Sequence, residues 1–320
     1  MKTLVLAIAI NCPMLLAAQQ ASSNPELARG EARQVPDTAF VERLGLKPTF
    51  RTAAKPVIAL DEAHSNFHTV EGRYHAFAQL LMADGVDMRS NRQHFDAKSL
   101  APLRVLVIAN ALNAKQVTNT DWHLPSVSAF EPDEIQAVAK WVRAGGSLLL
   151  IADHMPFAGA ASDLAVALGT HFANGFALPM APPDPVTGDY VIEFRRGDGS
   201  LARHAVTTGI DSIASFTGSA FWVDPELGST TLMHLPAGTR VKLPSESWKF
   251  SESTAELPGD GMAQGAVYRL GKGRVAVFGE AAMFSAQLKG PQAIRMGMNN
   301  PVARQNPQFV LNVVHWLLAR

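Results

Sequence analysis

A chain of 320 residues with 47% apolar content can bury a large core, as one big α/β domain or two smaller ones, and disorder is excluded as its bulk state. Lysine plus arginine equals aspartate plus glutamate at 28 each, so no global field favours nucleic acid, an anionic membrane or an acidic substrate.

The chain starts with Lys2, an apolar stretch from Leu4 to Ala18, and small residues Ala17 and Ala18 before Gln19. This is the layout of a secretory signal, and residues 1–18 are expected to be cleaved from an exported, periplasmic or secreted protein. Asn11 and Pro13 interrupt the stretch, which is shorter than the ~20 residues of a spanning helix, so the mature chain is expected to have no membrane span; an uncleaved anchor is the alternative. Cys12 is the only cysteine. Its removal excludes disulfides, a thiol nucleophile, thiolate zinc sites and iron–sulfur clusters from the mature protein.

Residues 19–54 contain Pro25, Pro36 and Pro48 without a sustained period and read as a partly ordered lead-in. A single α/β domain is expected over 55–320. Its first strand, Val57 to Leu60, breaks into Asp61-Glu62-Ala63-His64-Ser65-Asn66-Phe67-His68. Tyr74, Phe77, Ala78 and Leu81 fall at helical spacing over 72–83, with Gly85 as a C-terminal cap. A short strand near 86–89 and a buried strand over 104–109 follow, the latter ending at Asn110.

Pro132 opens the next helix, whose stripe is Ile135, Val138, Ala139 and Val142. Gly145-Gly146 leads into Ser147 to Ala152, an unbroken apolar run that stops at Asp153-His154. Runs apolar on both faces belong to parallel sheets covered by helices. Residues 170–270 carry short alternating runs such as 190–194 and 231–233, which predict an antiparallel insertion or edge. Gly271-Lys272-Gly273-Arg274 precedes the strand 274–279; it reads as a hairpin turn, since a phosphate loop would open a helix. Asn306 and Pro307 start a final helix carrying Phe309, Val313, Trp316 and Leu317.

Right-handed crossovers bring Asp61, Asn110, Asp153, His154 and Glu280 to one edge of the sheet, where ligands bind in open α/β folds. A helix cap or a turn is the competing role for each. Asp61, His64 and His68, with Asp153, His154 and Glu280, supply oxygen and imidazole donors suited to a divalent metal, and Asp61, His64 and His154 are its candidate ligands. A hydrolase without metal would use His154 as general base, oriented by Asp61 or Glu280; no Gly-x-Ser-x-Gly offers a serine nucleophile. The preferred class is binding of a small polar ligand, with Glu62, His64, His68 and Asn110 as further contacts.

Asp61-Glu62-Ala63-His64, the Trp141 to Gly146 helix end with its strand, Gly271 to Glu280, Asn306, and Leu311 to Leu317 together resemble the class I glutamine amidotransferase-like superfamily over about residues 55–320. Within it the chain is most similar to bacterial proteins related to the GldG-type auxiliary domains of ABC transport systems, and more distantly to ThuA-like proteins. The resemblance implies a three-layer α/β sandwich with a mostly parallel, flavodoxin-like central sheet, and an accessory role beside an envelope protein partner. Members with glutaminase activity place a cysteine at the turn after the strand equivalent to 147–152. Asp153 and His154 stand there instead, which excludes that chemistry. ThuA-like relatives carry a histidine near this turn, which fits His154.

Export predicts that protein recovered from the periplasm or medium lacks residues 1 to about 18; an intact mass that still includes Met1 refutes it.

Overall fold

The computed structural model describes residues 34–51, 54–185 and 188–319. The expected signal segment and residues 19–33 of the lead-in lie outside the described residues. In chain order, β1 (Gln34–Pro36) precedes β2 (Val57–Asp61), α1 (His75–Ala83) and β3 (Asp87–Asn91). The short helix α2 (Ala97–Leu100) leads to β4 (Val105–Ala109), and α3 (Pro132–Ala144) connects β4 to β5 (Ser147–Ile151). After α4 (Phe157–Ala160) and α5 (Ser162–Ala167) come β6 (Thr170–Ala173), β7 (Phe176–Leu178), β8 (Val191–Arg195), β9 (Ser212–Phe216) and β10 (Ala220–Val223). Then follow β11 (Thr230–His234), β12 (Arg240–Leu243), β13 (Ala255–Pro258), β14 (Ala263–Leu270) and β15 (Gly273–Phe278), and finally β16 (Ala286–Lys289), β17 (Ile294–Gly297) and α6 (Asn306–Leu318).

The large sheet runs β3-β2-β4-β5-β15-β14-β10-β6, with β11 also against β14. Its first five strands are mutually parallel; β14, β10 and β6 extend it antiparallel. Numbered among themselves, the parallel strands lie in the order 2-1-3-4-5, the flavodoxin-like winding, whose direction reverses between β2 and β4. The expected sandwich is therefore the observed one.

Every residue of β4 and β5 is buried, and period-two alternation divides them between two layers. Val105, Val107, Leu149 and Ile151 face Phe77, Leu80 and Leu81 of α1 and Phe309 and Val313 of α6. Leu106, Ile108, Leu148 and Leu150 face Val138 and Val142 of α3 and Leu164 of α5. Pro132 sits in the first turn of α3, a reciprocal Glu131–Glu134 box caps it, and Gly145 ends it at φ 125°. A Cβ on Gly146 would strike the Trp141 ring that covers it, so the glycine pair permits the close helix-to-strand turn.

The 170–270 region is antiparallel as expected, but it divides. Part of it widens the main sheet, while β7, β12 and β13 form a separate three-stranded sheet and β8 pairs with β9. The lead-in joins the fold from residue 34: β1 pairs with β16, Phe40 enters the core, and Asp37 accepts hydrogen bonds from Arg43 at 2.6 Å and Asn299 at 3.1 Å. No helix among the described residues is long and apolar enough to cross a membrane.

Phe278 is 0% exposed and packs edge-on against Phe284 at 4.9 Å and Phe309 at 5.7 Å. Phe278→Ala is expected to cost about 3–5 kcal/mol, seen in urea unfolding as a lower midpoint at unchanged m-value.

Candidate functional site

Because β2, β4, β5 and β15 point the same way, Asp61, Asn110, Asp153-His154 and Glu280 all arrive at the carboxyl edge. Their roles there differ. Asn110 takes a left-handed conformation at φ 49°, and its Oδ1 accepts the Asp153 amide at 2.9 Å, which ties the end of β4 to the end of β5. Glu62 is spent locally, accepting from the Val70 amide and Ser90 hydroxyl at 2.8 and 2.9 Å and pairing with Arg92 at 3.1 Å.

His64 stands in the loop after β2 with carboxylates on both ring nitrogens. Nδ1 faces the two oxygens of Asp61 at 3.0 and 2.9 Å, and Nε2 faces Oε1 of Glu134 at 2.9 Å. Burial pulls its pKa down, but Asp61 and Glu134 together outweigh burial and hold it above the ordinary 6.5. Glu134 is pushed up by burial, yet the Glu131 and Phe95 amides and His64 hold it below its usual range. Asn66 fixes Asp61 through a 2.9 Å bond to Oδ2, and Phe95 and Phe130 flank the imidazole at 4.7 and 4.8 Å.

The exposed His94 brings its Nδ1 within 3.0 Å of the same Glu134 oxygen. Among the described residues, His64, His94 and Glu134 are the group whose donor atoms could share a metal, all lying within 4.8 Å of one another. Of the ligands expected from sequence, the group contains His64, with Asp61 behind it; His154 is not in it.

His154 lies elsewhere along the edge, in aromatic surroundings. Its ring stacks on Phe176 at 4.6 Å and 13° and meets Trp248 at 4.8 Å, with Phe157 and Trp122 at 5.7 and 6.4 Å. Nδ1 donates to the Met155 carbonyl at 2.7 Å, which leaves Nε2 as an acceptor without a partner among the described residues. Asp153 Oδ1 accepts the His154 amide at 2.7 Å. Neither Asp61 nor Glu280 hydrogen-bonds the His154 ring, whose hydrogen-bond partner among the described residues is the Met155 carbonyl.

Glu280 is fully buried and accepts the Ala282 and Met283 amides at 2.6 and 2.8 Å, the capping role weighed for it above. Burial, and then Asp153, raise its pKa well above the ordinary value against the pull of those amides. Tyr74 donates to the Ala281 carbonyl at 3.0 Å. His68 packs on the Tyr74 ring at 4.6 Å with Nδ1 unpartnered; burial, then Arg73, keep it neutral. The 62–74 segment that carries both histidines is loop and turn, and His68 is not in the group formed by His64, His94 and Glu134. A concavity of about 460 Å³ lies at the opposite, amino end of the strands, around Arg104, Ser147 and Arg274, away from all of these groups.

Sequence reasoning missed Glu134, His94, Trp122 and Trp248. Glu134 could have been found as an acid three residues after Glu131 at a helix start, but that pattern also describes an ordinary cap.

No family model and no curated protein sequence matches the chain. Among solved structures, the N-terminal domain of mmIFT52 superposes with a TM-score of 0.56 at 12% identity, over 82% of this chain and 98% of that domain. A cytoplasmic protein of Salmonella typhimurium LT2 gives 0.49 at 15% identity over 82% of this chain and 99% of its own. A ThuA-like protein of Bacteroides uniformis gives 0.45 at 11% identity, covering 85% and 96%. At such identities the first of these establishes a shared fold, and an activity is transferred from none.

The raised pKa of Glu280 means that the folded chain holds a proton which the unfolded chain releases. Its contribution is complete below the ordinary 4.5 and is lost as pH rises through the higher folded value. Glu280→Gln cannot ionise, so its melting temperature should fall less steeply than that of the wild type above about pH 5. Slopes are compared, not absolute midpoints; equal slopes refute the shift.

Proposed function

We propose that this chain is an exported domain of the amidotransferase-like superfamily, without glutaminase activity, that binds a small polar ligand at the His154 face as an accessory of an envelope system. One observation carries the reading: His154 is oriented by a backbone carbonyl and presents an unpartnered Nε2 acceptor inside an aromatic frame. A general base would have a carboxylate behind it to stabilise the imidazolium. Here Nδ1 faces the Met155 carbonyl instead of a carboxylate; Asp153 receives the His154 amide on Oδ1, and Asp61 and Glu280 have other partners. The hydrolase alternative with His154, Asp61 and Glu280 therefore lacks its assembled dyad.

The surroundings favour a ligand with one apolar face and peripheral hydroxyls, such as a sugar ring. Trp248 is 49% exposed and Phe250 39%, and the two rings pack against Phe176 at 4.6 and 5.2 Å. An aromatic platform supplies area at low entropic cost, and a single well-placed acceptor supplies orientation.

A thermal-shift screen of monosaccharides and small hydroxy acids tests this. A ligand at 100 times its Kd should stabilise the wild type by about 2.7 kcal/mol, and it should be recovered unchanged. His154→Ala and Trp248→Ala should melt as folded proteins with the shift gone. Consumption of an ester, amide or glycosidic probe that His154→Ala abolishes would establish the hydrolase instead; indifference of both variants to every ligand would remove the site.

A further inference from the structure

The His64 cluster is separate from the His154 face, and three features of it go beyond a structural ion pair. The first is convergence. His64 follows β2, His94 follows β3, and Glu134 lies in the first turn of α3, yet Nε2 of His64 and Nδ1 of His94 stand 2.9 and 3.0 Å from one oxygen, Glu134 Oε1. A tetrahedral zinc about 2.0–2.1 Å from each donor needs them roughly 3.3 Å apart; each histidine nitrogen stands a few tenths of an ångström closer than that to the Glu134 oxygen, and all three atoms lie within 4.8 Å of one another.

The second is what lies behind the donors. Asp61 receives the Nδ1 proton of His64 and is itself fixed by Asn66. A carboxylate behind an imidazole sets the tautomer and makes the other nitrogen a better donor, which is the common second layer of histidine-bound metals. With Nδ1 committed, the Nε2 lone pair points at a carboxylate oxygen. Two acceptors face each other, and a cation must lie between them, a proton or a metal. Glu134 is held for this by the Phe95 amide at 2.9 Å on Oε1 and the Glu131 amide at 3.0 Å on Oε2.

The third is exposure. His64 and Glu134 are buried while the His94 side chain is 77% exposed, so the site is rigid on two sides and open to solvent on the third. Two imidazoles and one carboxylate with an open position suit zinc and its neighbours among the divalent transition metals, and disfavour calcium and magnesium, which prefer all-oxygen ligands.

We propose that His64 Nε2, His94 Nδ1 and Glu134 Oε1 bind one divalent transition-metal ion, zinc by preference, with Asp61 as the positioning carboxylate behind His64 and solvent in the remaining position. This does not depend on a ligand at His154.

The test is calorimetric titration of ZnCl2 into the tag-free, chelator-stripped chain, beside three variants checked for fold by circular dichroism. Wild type and His123→Ala, which removes an exposed histidine outside the cluster, should bind one equivalent equally well. His94→Ala changes only an exposed side chain, so it should fold normally and lose at least about tenfold in affinity, because one of three protein ligands is gone. Asp61→Asn should keep the stoichiometry and weaken binding by about 10- to 100-fold. Cobalt should give visible ligand-field bands in the wild type that are altered in His94→Ala. Absence of saturable zinc binding in the wild type, or His94→Ala binding like the wild type, would overturn the site; unchanged affinity in Asp61→Asn would overturn the positioning role.

Discussion

The burial of β4 and β5 on both faces constrains everything else. With no side chain of either strand in water, their amides and carbonyls must be satisfied within the sheet. The register does this on both sides of β5: Leu149 lies opposite Val107 and Ala276, and Ile151 opposite Ala109 and Phe278. Level strands end level. Polar residues cannot interrupt such runs without an unpaired group in the core, so they collect just past the ends. The polar residues that follow these strands gather at one edge for that reason, and the edge is closed by bonds such as the Ala152 amide to the Phe278 carbonyl and the Ser219 hydroxyl to the Ala152 carbonyl.

Collecting acids at a buried edge creates an electrostatic problem, and the chain solves it in two ways. Leaving a charge unpaired there would cost several kcal/mol. Asp61 and Glu134 flank the His64 imidazole, and their attraction for a positive charge there exceeds the burial penalty on the ring, so the His64 pKa is raised and Glu134 is held below its usual range. Glu280 has no cation paired with it among the described residues. It has backbone amides and a neighbouring acid, Asp153, and burial combined with that repulsion favours its protonated form. Two buried carboxyls, Glu134 and Glu280, are thereby shifted in opposite directions.

The elements that could be read from sequence are those in which burial leaves a periodic trace. Val105 to Ala109, Ser147 to Ile151 and the stripe of α3 were legible because each apolar position repeats at the period of its element, and the ends of those strands located Asp61, Asn110, Asp153, His154 and Glu280 on one edge. Which of them meet was not legible. His64 pairs with Glu134 across 70 residues, and Trp248 reaches His154 from a loop between β12 and β13; neither contact leaves a local pattern. The attachment of residues 34–44 was hidden as well, because it rests on single anchors, Phe40 and Asp37, with no period. The local contacts of these residues also needed coordinates: Glu280 and Asn110 accept backbone amides, while Nε2 of His154 has no partner among the described residues.

The winding reverses between β2 and β4, and folds of this class ordinarily leave a ligand crevice there. In this chain the loop after β2 occupies it. The Phe67 amide donates to the Asn110 carbonyl and the Leu112 amide to the His64 carbonyl, while the Phe67 ring packs on Trp122 and Phe157 at 5.6 and 5.4 Å. Filling the crevice with the chain's own aromatic side chain moves accessible groups to either side of it. Toward β3, that leaves His94 and the outer face of Glu134. Toward β5, it leaves His154 with Trp248. A single loop thereby explains why the polar residues of one sheet edge divide into two separate clusters.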